Sequence, residues 1–243
     1  MSNNKNGTMP ILEHISELRL RLVISAGALL VAVGISFANV ELFRGILTRP
    51  LGDMPLIYLS PPEAFTANLK LSLFTGLVLA LPVLLYELSA YIFPGLTSGE
   101  KKFYLAVLAG IIVLFSAGVI FAFHVVFPYT LSFFLQFADA QLEPHLTISD
   151  YLAFVLSFHI AFGAVFQLPL LTWALGKIGL LSTSFLRRHR KIAILIMLIM
   201  ASIITPPDII SQAIMILPLL FLYELGIFMV MISERKQLDA LSD

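Results

Sequence analysis

Long apolar runs separated by short polar breaks organise this chain, and the length of each run predicts what it forms. A helix that crosses about 30 Å of hydrocarbon needs roughly 20 apolar residues, each rising about 1.5 Å. Residues 22–40 meet that requirement. A second run covers 69–92 and carries Pro82 and Glu87 within it; a third covers 103–127 and continues past Pro128 as an interfacial helix towards Phe137. The fourth, 151–175, contains His159 and Gln167. The last apolar block, 192–232, is about twice the length of one span. Thr205-Pro206-Pro207-Asp208 divides it, because consecutive prolines remove backbone donors and force a turn. The first piece, 192–204, is then only about 20 Å of helix. It reads as one arm of a hairpin too short for the bilayer, which thins the membrane or docks on a partner. A single re-entrant loop, giving five spans, is the competing reading; the length of 209–232 favours the hairpin. The pattern thus predicts an all-α membrane protein, one domain over 1–243, with six transmembrane helices of which the fifth and sixth are short.

Composition agrees with the pattern. Of 243 residues, 59% are apolar and 12% charged, and the mean hydropathy is +0.96. Soluble domains run at roughly 45–50% apolar and about 25% charged, so lipid must solvate part of this surface. A net charge of zero argues against nucleic acid as a partner. The absence of cysteine excludes disulfides and thiolate metal sites. Residues 1–9 are polar and lack the apolar core of a cleaved signal peptide, so the first span is expected to remain in the mature chain.

Basic residues set the expected orientation. Lys5, Arg19 and Arg21 precede the first span, Lys101 and Lys102 follow the second, and Lys177, Arg187, Arg188, Arg190 and Lys191 follow the fourth. With Arg235 and Lys236 after the last, twelve of the 15 Lys and Arg fall on one side. The other side has Arg44 and Arg49, with Lys70 at a helix mouth, and 138–150 has none. Both termini are therefore expected in the cytoplasm, an arrangement that requires an even number of spans. The outer segment 41–66 holds Pro50, Pro55, Pro61 and Pro62 among apolar residues such as Leu42, Phe43, Ile46 and Leu56. A connection of that length and content reads as an interfacial cap packed on the helices. No internal repeat is visible, which weakens an inverted-repeat transporter reading.

Candidate chemistry is sparse. No GxxxxGK[ST] loop occurs, the five histidines lack zinc spacing, and no serine has a GxSxG setting. The sequence thus supports no enzyme activity and calls for neither metal nor cofactor. The informative segment is His14-Ile15-Ser16-Glu17-Leu18-Arg19-Leu20-Arg21-Leu22, directly before the first span. Pro10 suits a helix start, so the segment reads as an amphipathic extension of helix one. Glu17 and Arg21, four apart, are placed to pair, and the arginines enforce topology.

His-x-x-Glu-Leu-Arg-x-Arg-Leu resembles the N-terminal signature of TatC, the receptor subunit of the twin-arginine protein translocase. The resemblance continues in order along the chain. Ser60-Pro61-Pro62-Glu63-Ala64-Phe65, then Leu69-Lys70-Leu71-Ser72-Leu73, is similar to the family's outer loop entering helix two. Tyr91-Ile92-Phe93-Pro94-Gly95-Leu96 with Glu100-Lys101-Lys102 resembles its first cytoplasmic loop. Phe127-Pro128, Ala161-Phe162-Gly163 and Phe166-Gln167-Leu168-Pro169 resemble its third and fourth helices. Thr205-Pro206-Pro207-Asp208, Ser211-Gln212, Pro218 and Tyr223-Glu224-Leu225-Gly226 resemble its closing hairpin. These matches span about residues 10 to 230; each alone is modest, and together in register they are specific.

The resemblance implies a bacterial inner-membrane protein that binds Arg-Arg signal peptides of folded cargo at its cytoplasmic face. It then recruits single-span TatA- and TatB-like subunits, self-associates in a receptor complex and uses the proton-motive force. It assigns signal-peptide binding to Glu17 and Glu100, with Leu18, Arg19 and Tyr91 shaping the patch. Bidentate pairing with carboxylates is how a receptor separates Arg from Lys. Tyr91 stands where the family more often has Phe, and Glu87 where it often has Gln. Gln167 and the flank of the short fifth helix, with Thr205 at its end, would contact partner subunits. The family uses Glu or Gln at position 167; an amide there can hydrogen-bond across a helix interface but offers no ionisable carboxylate. Pro50 and Asp208 resemble positions needed for assembly, and Asp208 also suits the start of helix six as a cap. His124 and His159 read as satisfied core histidines. Six helices cannot enclose a lumen for a folded protein, so the chain reads as a docking platform. The alternatives are a small proton-coupled carrier, with Glu87, His124, His159 and Gln167 as a relay, and a non-transporting scaffold.

Overall fold

Backbone N–H and C=O groups facing hydrocarbon must be satisfied within their own segment, and helices do this. The computed structural model describes residues 11–136, 145–204 and 209–242, and these are helical almost throughout. The order is α1 (Ile11–Ala38), α2 (Val40–Thr48), α3 (Pro61–Ile92), α4 (Ser98–Phe121), α5 (Phe127–Leu135), α6 (Ile148–Val165), α7 (Leu168–Lys177), α8 (Thr183–Arg188), α9 (Arg190–Ile204) and α10 (Ile209–Ser242). Five stretches among the described residues are long and apolar enough to cross a membrane: His14–Ala38, Pro61–Gly95, Gly99–Leu135, Ile148–Lys177 and Met215–Arg235. The short apolar run 192–204 lies in α9, a helix of 15 residues. The Pro-Pro break, with Thr205 and Asp208, lies outside the described residues.

Several helices depart from the apolar runs, for local reasons. α1 starts at Ile11, so segment 14–22 is continuous with the apolar span. α3 starts at Pro61 and passes Pro82 without a break; two prolines with fixed φ suit a first turn that needs no N–H. The fourth run, expected as one helix, is two. α6 ends at Val165, four residues before Pro169, which has no N–H for the Val165 carbonyl and would press its ring on it. A proline is absorbed differently ahead of α5: a π-helical turn over Ala122–Val126 opens the ladder where Pro128 follows. α10, expected to be short, is 34 residues long because it continues through the polar tail 233–242.

The chain divides into two compact units, residues 1–112 with 146–153 and residues 113–145 with 154–243. In the first, α1 and α3 run antiparallel in close contact. A Cβ at Gly76 would lie 2.6 Å from Val33 Cγ2 and 2.7 Å from its Cα, so only glycine allows this crossing. Ser36 and Thr75 hydroxyls hydrogen-bond beside it, and Ala67 and Leu71 are fully buried. The 39–60 connection folds as a cap. α2 leads into a 3-10 turn, Arg49–Leu51, with Pro50 in its first positions, and the chain then pairs with the segment before α6. Ile57 N donates to Leu146 O at 3.0 Å and Ile148 N to Ile57 O at 2.8 Å. The buried Tyr151 hydroxyl donates to Leu47 O at 2.6 Å.

In the second unit α7 packs on α10. A Cβ at Gly226 would lie 2.5 Å from Thr172 Oγ1, a hydroxyl that already donates to Leu168 O and Pro169 O at 2.9 and 3.0 Å. Phe127 and Phe158, both fully buried, meet edge-on, and Phe154 closes on Phe158 at 4.9 Å. Glu234 on α10 caps α8, accepting from Thr183 N at 2.8 Å and Thr183 Oγ1 at 2.6 Å.

Candidate functional site

Residues at helical three- and four-residue spacing share a face, and two such faces meet where the start of α1 lies against the end of α3. Leu18, Arg21, Leu22 and Ser25 from α1 oppose Leu84, Glu87, Leu88 and Tyr91 from α3 around a groove of about 260 Å³. Arg21 is its electrostatic centre. Nη1 donates to Glu87 Oε2 at 2.8 Å and Nη2 to Glu17 Oε1 at 3.2 Å. One guanidinium is shared between two carboxylates, each of which keeps acceptor positions for a further donor. The helical pairing of Glu17 with Arg21 is as expected; the link to Glu87 is one the local sequence does not reveal.

Tyr91 in the groove wall carries an aromatic contact: His14 stacks on it with centroids 4.4 Å apart and planes at 18°. Leu18 is exposed along the groove and Arg19 is exposed beside it. The structure thus brings Glu17, Leu18 and Tyr91 to one place. Glu100 has a different setting: its Oε2 accepts from Thr97 N and Thr97 Oγ1, both at 2.7 Å. That is the backbone-directed half of a capping box at the start of α4. The local pattern that encodes it is Thr97-x-x-Glu100.

Other candidates sit apart from the groove. Gln167 occupies the break between α6 and α7, and its Nε2 donates to Gly163 O at 3.3 Å. Its neighbours Val165 and Leu168 line an apolar cavity of about 100 Å³ with Met197, Met215 and Leu219. His159 is buried as expected, its Nδ1 2.7 Å from Val155 O. His124, by contrast, is exposed, within the π turn. Glu224 pairs with Arg190 at 2.7 Å, both exposed. Glu63, quoted in sequence only as part of a motif, is an organiser of the cap: it accepts from Leu59 N at 2.7 Å and Ser149 N at 3.4 Å. Among the described residues no cluster of His, Cys, Asp and Glu is arranged to hold a metal ion.

Residues 13–218 match the family model for the Sec-independent protein translocase protein TatC. The chain belongs to the TatC family. It is 39% identical to TatC of Carboxydothermus hydrogenoformans over 94% of this chain and 96% of that one. TatC of Desulforapulum autotrophicum is 40% identical, covering 94% and 86%, and TatC of Aquifex aeolicus 38%, covering 94% and 98%. The fold is similar to a crystal structure of a twin-arginine translocase receptor, TatC, with a TM-score of 0.76 at 37% identity over 91% of this chain and 99% of that one. As a TatC-family member with several apolar spanning helices, the chain is a multi-pass membrane protein and a component of the Tat protein-transport system. The all-α membrane fold expected from the hydropathy pattern is the fold observed.

Proposed function

We propose that the chain is the signal-peptide receptor of its translocase, binding paired arginines at the groove between α1 and α3. The observation that carries this is the Glu17–Arg21–Glu87 cluster, a partly open site whose two carboxylates share a single guanidinium. An arriving guanidinium pairs with Glu17, and the apolar walls, Leu18 above all, receive the residues that follow. Tyr91 and Arg19 border the same entrance. Glu100 supplies the second carboxylate, at the first turn of α4. The groove end faces the cytoplasm in this reading, as the basic residues require, and both termini lie there with six spans in the bacterial inner membrane.

Recruitment of TatA- and TatB-like subunits falls to the other unit. Gln167 stands at a break in the fourth span, next to an apolar cavity, where an amide can bond to a polar group in a partner helix. The short α9, ending towards Thr205, adds its flank. Pro50 shapes the cap turn and, with Asp208, serves assembly of the receptor complex. The proton-motive force supplies the energy. A proton-carrier reading draws no support from the histidines, since the Phe123 ring lies against both His124 and His159 and an aromatic ring relays no proton.

The test is photo-crosslinking in membranes with cargo peptides bearing Arg-Arg or Lys-Lys. Arg-Arg peptides are expected to crosslink to positions around Glu17 and Glu100, and Glu17→Ala with Glu100→Ala to abolish it. Equal crosslinking by both peptides, unaffected by the double substitution, refutes the reading.

A further inference from the structure

Glu17 is not idle in this structure. Its carboxylate is held by the chain's own Arg21, so a peptide guanidinium must compete with an internal one for the same oxygen. The internal guanidinium has a second anchor. Glu87 holds Arg21 at 2.8 Å against 3.2 Å for Glu17, and its side chain is 9% exposed against 20%. The shorter and less hydrated contact is the stronger of the two. Arg21 Nε is buried and makes no hydrogen bond among the described residues. If Glu17 turns away, that spare donor lets Arg21 pair with Glu87 through two nitrogens rather than one.

We propose that Glu87 is a positioning residue for peptide binding: it retains Arg21 and so releases Glu17 to the incoming arginine. The proposal rests on the reading of Glu17 as a peptide-binding carboxylate. It also explains why a carboxylate lies in the wall of an otherwise apolar span. With an amide at position 87, Arg21 has Glu17 as its sole carboxylate partner, and the pair Glu17–Arg21 closes against the peptide. A carboxylate at 87 shifts that competition by charge, without touching the peptide itself.

The experiment measures the affinity of a fluorescent Arg-Arg signal peptide for the full chain in proteoliposomes. Glu87→Gln is expected to weaken binding about fivefold, the scale of losing one partly exposed charged contact. Arg21→Gln in the Glu87→Gln background removes the internal competitor and is expected to restore affinity to within about twofold of the parent. A purely structural ion pair predicts the opposite, since the double variant lacks the pair as fully as the single one. Arg21→Lys gives an independent reading, because a compact ammonium lacks the rigid planar fork that spans both carboxylates in fixed geometry; it is expected to settle on Glu87, the shorter and less hydrated contact, and to tighten peptide binding about twofold. Unchanged affinity in Glu87→Gln, no recovery in the double variant, or weaker binding in Arg21→Lys overturns the proposal. Glu17→Gln separates the two claims. If it leaves Arg-Arg affinity unchanged, the receptor reading itself fails; if it abolishes binding while Glu87→Gln has no effect, only the role of Glu87 fails.

Discussion

Two carboxylates near opposite ends of α3 are satisfied in opposite ways. Glu63, at its start, accepts from the backbone N–H groups of Leu59 and Ser149. Glu87, near its end, is met by a side-chain guanidinium shared with Glu17. Backbone donors are fixed by the fold, so a carboxylate bound to them is a structural fastener. A guanidinium on a flexible stem can be exchanged for another guanidinium. The cap end of the helix pair is therefore built to stay closed and the groove end to change partners, although each rests on acidic side chains in the same helix.

Substitutions along the pair test that contrast through thermal stability in detergent and peptide affinity. Gly76→Val drives a side chain into the Val33 backbone; it is expected to lower the unfolding midpoint by roughly 8 °C and to impair cap and groove alike. Glu63→Ala leaves two N–H groups without their acceptor, and a fall of roughly 5 °C with peptide affinity unchanged is expected. Lost peptide binding there would erase the distinction between the two ends. Tyr151→Phe removes the bond to Leu47 O in a buried site; it should cost roughly 4 °C and increase hydrogen exchange at 47–60 while sparing the groove. Glu17→Ala is expected to shift the midpoint by no more than about 2 °C, because a helical ion pair contributes little to stability. The same change should weaken Arg-Arg peptide binding more than about tenfold. A large stability loss from Glu17→Ala would recast it as a second fastener.

Glu100 lies between these types. Its capping box with Thr97 makes it a local fastener for α4, and yet both donors belong to one residue at a helix end, where little else has to move when the carboxylate turns. The box was legible from Thr97-x-x-Glu100, as a similar one was from Thr147-x-x-Asp150, whose side chains meet at 2.9 Å. The clamp of Glu63 on Ser149 was not legible, since it joins residues 86 apart through the approach of two chain segments that no local pattern encodes.

By itself the sequence determined the elements. Apolar run length prescribes helices that span a bilayer, although runs at 69–92 and 151–175 mark neither the start of α3 at Pro61 nor the end of α6 ahead of Pro169. The ordered motifs from His14 to Gly226 mark the TatC family without reference to any tertiary contact. These are short-range properties, set by backbone donors and side-chain hydrophobicity within a few residues. Only the tertiary structure decided which charges meet. The register between α1 and α3, set by the contact of Gly76 with Val33, places Arg21 opposite Glu87 at a separation of 66 residues. A shift of one helical turn along that seam would move them about 5 Å apart. The sequence marks Glu17 as a candidate receptor carboxylate; the packing of two helices adds the internal arginine it must give up.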